Sequence, residues 1–292
     1  MLINAANMDG LFKSYNTLFQ KAFDKAPTDY EKVAMTVPSG TGSNDYAWLA
    51  GIPMVREWVG ERYVKSIEAM HYEVANKDFE ATVSVKRNTI KDDQIGLTAP
   101  IFSTLGFNAK RHPDKLIFDL MIAGFVSACY DGQYFFDTDH EVAGASVSND
   151  GGGSGEPWFL LCTSSPIKPF IFQSREKEKL TRMDKDNDEN VFMRKEYLYG
   201  VDYRGNAGYA LWQLAFGSKD TLNATNYAAA RAAMMAFKND EGVPLGIVPD
   251  LLVAGPTHES AGKSLVKIDT NASGAGNPWY GTADLLITPW LA

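Results

Sequence analysis

The chain has 292 residues, 45% hydrophobic and 22% charged, which suffices for one large domain or two smaller ones with true cores. Its formal net charge of −8 argues against a protein that coats nucleic acid through the phosphates; it does not exclude one that encloses DNA, where an acidic wall avoids adhering to the contents. No run approaches the ~18 apolar residues of a membrane span, no basic segment followed by an apolar block opens the sequence as a signal peptide would, and the two cysteines, Cys129 and Cys162, suit reduced intracellular thiols better than a disulfide framework.

Residues 8–25 place Leu11, Tyr15, Leu18, Phe19, Ala22 and Phe23 at helical spacing, which predicts an amphipathic helix stopped near Pro27. PSGTGSN (38–44) is built of turn residues and reads as a flexible stretch. Phe79, Ala81, Val83 and Val85 alternate with Glu80, Thr82, Ser84 and Lys86, the period of a half-buried strand. Before that strand, MVREWVGERYVKSIEAMHYEV (54–74) threads Arg56, Glu57, Glu61, Arg62 and Lys65 among Trp58, Val59, Tyr63 and Val64. Such a hairpin has little apolar area to bury on itself. It reads either as a solvated hairpin or as an arm laid on a neighbouring subunit.

Residues 97–125 predict helix with an interruption at His112-Pro113, because the residue before proline avoids the α region. Pro113 and Asp114 would then restart a second helix. A turn-rich segment (130–140) and the loop SNDGGGSGEP (148–157) follow, the latter expected to be a mobile tip. Strands are predicted at Trp158–Cys162, Lys168–Gln173 and Tyr197–Phe216, with the charged, exposed run REKEKLTRMDKDNDEN between the last two. A helix begins at Thr225 as N-cap, GIVPDLLVAGP (246–256) is a buried strand, THESAGKSLV (257–266) a short helix and TADLLITPWL (282–291) a closing strand. The class is α+β, a long central helix against antiparallel strands. The 16 Phe, 13 Tyr and 6 Trp supply either an aromatic core or the ring-rich contacts favoured between proteins.

Few residues invite a chemical reading. Gly262-Lys263-Ser264 follows an apolar strand, but a phosphate loop needs glycine five positions earlier, where this chain has Thr257. Asp184, Asp186 and Asp188 open like a calcium loop that then puts Glu189 and Lys195 where glycine and a bidentate glutamate belong, so they read as a solvated acidic loop. Asp137, Asp139 and His140, and likewise His258-Glu259-Ser260, are sequence neighbours, whereas catalytic triads assemble from distant segments. With four histidines and no CxxC pair, neither a metal nor a cofactor is expected, and no catalytic residue.

Word-like stretches recur along nearly the whole chain: EWVGER (57–62), ANKDFEATVSVKR (75–87), TAPIF (98–102), PDKLIFDLM (113–121), YDGQYFFDTDH (130–140), IKPFIFQ (167–173), YLYGVDYRGNAGYALWQLAFGS (197–218), NYAAARAAM (226–234), PLGI (244–247) and LLVAGP (251–256). In number and order they resemble the major head subunit of Mu-like phages and prophages, a family with a variant of the Hong Kong 97 phage capsid fold. The resemblance implies an N-terminal arm (1–40), an extended E-loop hairpin (41–78), a peripheral domain with a long spine helix (79–129), a first axial segment with the glycine-rich loop (130–157), peripheral strands (158–217) and an axial domain (218–292). Arg56, Trp58, Arg62 and Tyr63 would make the inter-subunit contact of the E-loop. It further implies a non-enzymatic structural subunit that self-assembles as hexamers and pentamers into an icosahedral shell around double-stranded DNA, without sequence-specific binding. The location implied is the virion, and the host cytoplasm during assembly. The arm begins almost at residue 1, so guidance from a separate scaffolding protein is expected, together with a portal. Two rival readings are an encapsulin-like non-viral shell and, from another class, a nucleotide-binding enzyme using Gly262-Lys263-Ser264.

Overall fold

The computed structural model describes residues 2–46, 72–92, 95–270 and 274–292. Helix α1 (Ala5–Lys25) starts where Asn4 Oδ1 accepts from the Asn7 N–H, and it buries Met8, Leu11, Tyr15 and Phe19 along one face. After the single turn α2 (Tyr30–Val33) come β1 (Ala34–Pro38) and β2 (Ser43–Asp45), the latter paired with β3 (Glu73–Ala75). The segment between β1 and β2, expected to be flexible, is a bonded turn. Ser39 Oγ donates to Asn44 Oδ1 at 2.9 Å, and Asn76 Nδ2 donates to Ser39 Oγ and to the Thr41 carbonyl, both at 2.9 Å. The turn residues that suggested mobility are the ones whose side chains satisfy this backbone. Strand β4 (Lys77–Lys86) keeps most of its predicted alternation, with Phe79, Val83 and Val85 inward and Glu80, Thr82 and Ser84 in solvent, but Ala81, expected inward, is exposed. A short turn of helix, α3 (Arg87–Lys91), follows it.

Helix α4 (Ile95–Ala123) is continuous through both Pro100 and Pro113, so the expected break at His112-Pro113 and restart at Asp114 do not occur. An internal proline costs about 3 kcal/mol. Against this, Ile117, Phe118 and Met121 are completely buried beyond it, at about 1.5–3 kcal/mol each. Packing wins. Asp114 acts instead on a neighbouring element. Its Oδ1 accepts from the N–H groups of Asp29 (2.9 Å) and Tyr30 (2.8 Å), capping α2 against the long helix.

Two short strands, β5 (His140–Val142) and β6 (Ala145–Val147), form a hairpin. The glycine-rich stretch, expected to be a mobile tip, is in part a strand. It contains β7 (Asp150–Gly153), which lies parallel to a later strand. The remaining elements are β8 (Trp158–Leu161), β9 (Phe170–Met183), α5 (Glu189–Arg194), β10 (Glu196–Tyr209), β11 (Ala215–Lys219), α6 (Ala224–Met235), β12 (Leu251–Ala254), α7 (Glu259–Val266) and β13 (Asp284–Ile287). The charged run from Arg175 was expected to be an exposed separator, yet through Met183 it continues β9, because β10 pairs with it along its length. Helix α6 is capped by Asn223 Oδ1 on the Asn226 N–H, not by Thr225.

One sheet has the order β1-β9-β10-β4 and the other β13-β12-β8-β11-β7. The strands expected together within 158–217 therefore divide between two sheets. The first is crossed by α1 and α4 over a cluster containing Tyr15, Phe19, Phe102, Leu105, Leu180, Tyr197 and Tyr199. The second carries the larger cluster around Trp158, Phe159, Trp212, Tyr227 and Leu252. Arg182 on β9 ties α1 down: it pairs with Asp9 and stacks over the Phe12 ring at 4.6 Å.

Gly106 on α4 and Gly10 on α1 give opposite expectations. A Cβ at Gly106 would lie 2.3 Å from the Phe19 carbonyl oxygen, whereas at Gly10 it would meet nothing within 4 Å. Helix propensity favours Ala over Gly by about 1 kcal/mol at either site. Gly10→Ala is expected to raise the melting temperature. Gly106→Ala is expected to lower it through overpacking, typically by about 1–3 kcal/mol, and thermal unfolding of the two variants checks the pair.

Candidate functional site

The four residues expected to contact a neighbouring subunit, Arg56, Trp58, Arg62 and Tyr63, lie outside the described residues. Of the chemical lures, Gly262-Lys263-Ser264 lies inside α7. A Cβ at Gly262 would press on Leu285 Cδ1 at 2.9 Å, and Lys263 pairs with Glu259 one turn back. A helix interior offers no run of free N–H groups to a phosphate. The acidic triplet is not uniformly solvated either. Asp184 is buried, accepts from Tyr199 Oη at 3.4 Å and faces Arg182 at 3.5 Å, while Asp186 is exposed and pairs with Arg87. His258 Nε2 lies 3.0 Å from the Glu156 carbonyl and serves the loop before β8.

A polar cluster that the sequence did not announce gathers Cys129, Asp131, His140 and Asn149. Cys129 Sγ donates to Asp131 Oδ1 at 3.1 Å, and His140 Nδ1 lies 2.6 Å from Asp131 Oδ2. Asn149 Nδ2 donates to the carbonyls of Phe135 (2.8 Å), Ala215 (3.2 Å) and Trp212 (3.4 Å). Its Oδ1 is thus the acceptor, from the Asp137 N–H at 2.9 Å and from His140 Nε2 at 3.2 Å. Both ring nitrogens of His140 thus have a polar partner, Nδ1 at Asp131 and Nε2 at Asn149. The ring is fully buried and stacks on Trp212 at 4.0 Å.

Burial pushes the Asp131 carboxyl up, but the hydrogen bonds from His140 and Cys129 outweigh it and hold the group below the usual carboxylate range. Burial also pushes the Cys129 thiol well up, with the Asp131 charge acting the same way. A protonated, buried thiol that already donates its hydrogen is neither nucleophile nor ready metal ligand. The sulfur, carboxylate and imidazole lie within 4.8 Å of one another, but hydrogen bonds account for their separations. The cluster is a clasp that holds the 129–149 segment against β11. Asp137 and Asp139, weighed with His140 from the sequence, lie at its rim: Asp137 Oδ2 accepts from the Tyr134 N–H. Only the fold brings Cys129 and Asn149 to it.

Removing the Asp131 carboxylate leaves the Cys129 thiol and the buried His140 ring without their acceptor, at a cost of about 1–3 kcal/mol. Asp131→Ala is expected to lose a large part of that stability at neutral pH. Because the folded carboxyl sits below its unfolded value of about 3.9, the stabilisation is present above that value and lost as pH falls through the folded one. The gap in melting between wild type and variant should therefore narrow below about pH 4.

The described surface also carries an apolar prominence at the far end of the β9–β10 hairpin. Phe192 and Met193 of α5 are 80% and 69% exposed, although Val191 beside them is buried. Asn190 Nδ2 spans the hairpin ends, donating to the Met183 carbonyl (3.0 Å) and the Glu196 carbonyl (2.7 Å). No described helix is long and apolar enough to cross a membrane.

A family model described as the Mu-like prophage major head subunit gpT matches residues 8–291. The chain is 37% identical to the major capsid protein of Escherichia phage Mu over 305 aligned positions that cover all of both chains. It is also 37% identical to the Mu-like prophage FluMu major head subunit of Haemophilus influenzae, over 90% of this chain and 89% of that one. Among solved structures, it superposes on a chain of the procapsid of bacteriophage JBD30 with a TM-score of 0.87 and 42% identity, covering 99% of this chain and 100% of that one. On sequence and fold together, the chain belongs to the Mu-like prophage major head subunit family, whose α+β fold is of the Hong Kong 97 capsid type and whose members are structural and not enzymatic.

Proposed function

We propose that the chain is the repeating subunit of an icosahedral phage head, present in the virion, and that it forms hexamers and pentamers that close into a shell around double-stranded DNA. What carries the reading is the full-length likeness to a procapsid chain at 42% identity, with the same fold from end to end. Each subunit makes several modest heterologous contacts, which close into rings and then into a shell. Weak single contacts permit correction during assembly, and their multiplicity stabilises the product. The net charge of −8 keeps the wall from binding the packaged phosphates. Assembly takes place in the host cytoplasm on a separate scaffolding protein and around a portal.

In this reading α1 belongs to an N-terminal arm and α4 is the spine of a peripheral domain that includes β4, β9 and β10. The sheet β13-β12-β8-β11-β7, with α6 and α7, builds the axial domain, and the segment around Trp58 is the E-loop laid on an adjacent subunit. The sheet orders favour this division over one that keeps all strands of 158–217 in the peripheral domain. A non-viral encapsulin-like shell is the weaker alternative, since the matching family and both of the relatives named above are phage or prophage head proteins.

Negative-stain microscopy of the expressed chain is expected to show rings, tubes or shells, and a monodisperse monomer under all salt conditions would count against the reading. The E-loop assignment has its own test. Docked on a neighbour, Trp58 would bury on the order of 200 Å². The variant Trp58→Ala, Arg62→Ala should melt like wild type as a monomer yet give few shells by sedimentation, and fewer at high salt, where exposed charge pairs are screened. Equal loss of melting and of shells would place these residues in the subunit's own core.

A further inference from the structure

The turn of α4 that ends at Pro113 lacks one helix hydrogen bond, because proline offers no N–H to the carbonyl of Ala109. His112 stands on that turn and reaches the first sheet. Its Nδ1 is hydrogen-bonded to Tyr203 Oη on β10, and its ring meets the Phe79 ring of β4 edge-on at 4.8 Å. Phe79 in turn stacks on Tyr203 at 5.1 Å. Among the described strands β4 is the outer one of its sheet and pairs with β10 alone. Beside the three rings lies a cavity of about 210 Å³ between Leu105 and Ala109 of α4, Ala81 of β4 and Val201 of β10, with the half-buried His112 in its wall.

Among the described residues, the ionisable groups around the ring do little to support a charge on it. On α4 Lys115 opposes one and Asp119 favours it, and those two are paired with each other. On β9 Glu178 acts on Tyr203 and is itself pushed up by burial. Glu80 of β4 accepts from Thr82 Oγ1, and Asp78 of β4 pairs with Arg204 of β10. Burial therefore prevails and holds the imidazole below its ordinary value of 6.5. The neutral ring can accept the phenol hydrogen at Nδ1, whereas the protonated ring carries hydrogen on both nitrogens and can only donate. Protonation thus removes the acceptor for Tyr203 and sets a cation against an apolar cavity.

We infer that His112 is an acid-sensitive brace. Uncharged, it fastens the Pro113 turn of α4 to β10 and to the outer strand β4. Protonated, it releases them, and the adjoining cavity gives the ring room to turn towards water. The device belongs to the single subunit and does not depend on how copies assemble.

The test compares the full chain with His112→Phe, which keeps a flat ring against Phe79 and cannot titrate. Because the folded value lies below the unfolded one, the unfolded chain binds more protons. The contribution of the brace is present above about pH 6.5 and falls away below it. Wild type should therefore lose several degrees of melting temperature relative to the variant between about pH 7.5 and about pH 5. Amide exchange across residues 79–85 and 109–117, read by mass spectrometry, should quicken over the same interval in wild type and not in the variant. Exchange of the imidazole Cε1–H in the peptide that contains His112 reports the midpoint of the ring itself, in dispersed and assembled chains alike. That midpoint is expected below about 6.5, and it needs no variant, so it decides even where the phenylalanine chain misfolds. A midpoint at or above that value, or the same acid loss of melting and protection in both chains, would overturn the inference.

Discussion

Helix α4 enters both apolar clusters of the subunit. Its first half contributes Phe102, Leu105 and Ala109 to the cluster under α1, and its second half contributes Ile117, Phe118 and Met121 to the cluster under the second sheet. Strands β9 and β10 cross the same divide, with Leu180, Tyr197 and Tyr199 on one side and Phe170, Ile171 and Tyr209 on the other. The placement of the two cores thus depends on these two strands and on the helix remaining helical across Pro113. Asp114, one residue on, reinforces this point by capping α2. Its carboxyl is pushed up by burial, and the two backbone N–H groups that it accepts from work against that shift.

The abundance of aromatic residues left two readings open, and the described residues favour the core for most of the large rings. Trp158, Trp212, Tyr15, Tyr197, Tyr199, Tyr209 and Tyr227 are among the fully buried side chains. Several of these keep a polar handle: Tyr209 Oη donates to the Leu120 carbonyl at 2.9 Å, and Tyr15 Oη lies 2.7 Å from Thr98 Oγ1. Burial raises Tyr15, Tyr197, Tyr199 and Tyr209, and Tyr72 to about 12. Rings with a satisfied hydroxyl specify one packing where plain apolar groups would tolerate several.

Elements with strong periodicity were legible in the sequence. The first helix, the alternation of β4, the short helix α7 and the existence of a long central helix all follow from spacing. What the sequence hid depends on partners distant along the chain. Asp150–Gly153 has no side-chain pattern to announce a strand, and becomes one because β11 lies beside it; a Cβ at Gly153 would meet the Lys219 backbone within 2.4 Å. Arg175–Lys179 is charged on both faces and reads as loop until β10 pairs with it. Proline at 113 signals a break locally, and tertiary burial overrides it. The clasp of Cys129, Asp131, His140 and Asn149 has no motif spacing, because each residue serves a different turn. The family shows instead in many short stretches in order, and the residues near Trp58 that are proposed to touch a neighbouring subunit fall outside the described residues.

Both thiols of the chain, at Cys129 and Cys162, are buried. Labelling reagents react with exposed thiolates, and Cys129 is held as a thiol by burial and by its bond to Asp131. A cysteine introduced on the surface would therefore be the preferred site of attachment without prior removal of the native pair. The subunit comes ready for single-site fluorophores, or for cargo displayed at regular spacing over whatever lattice its copies form.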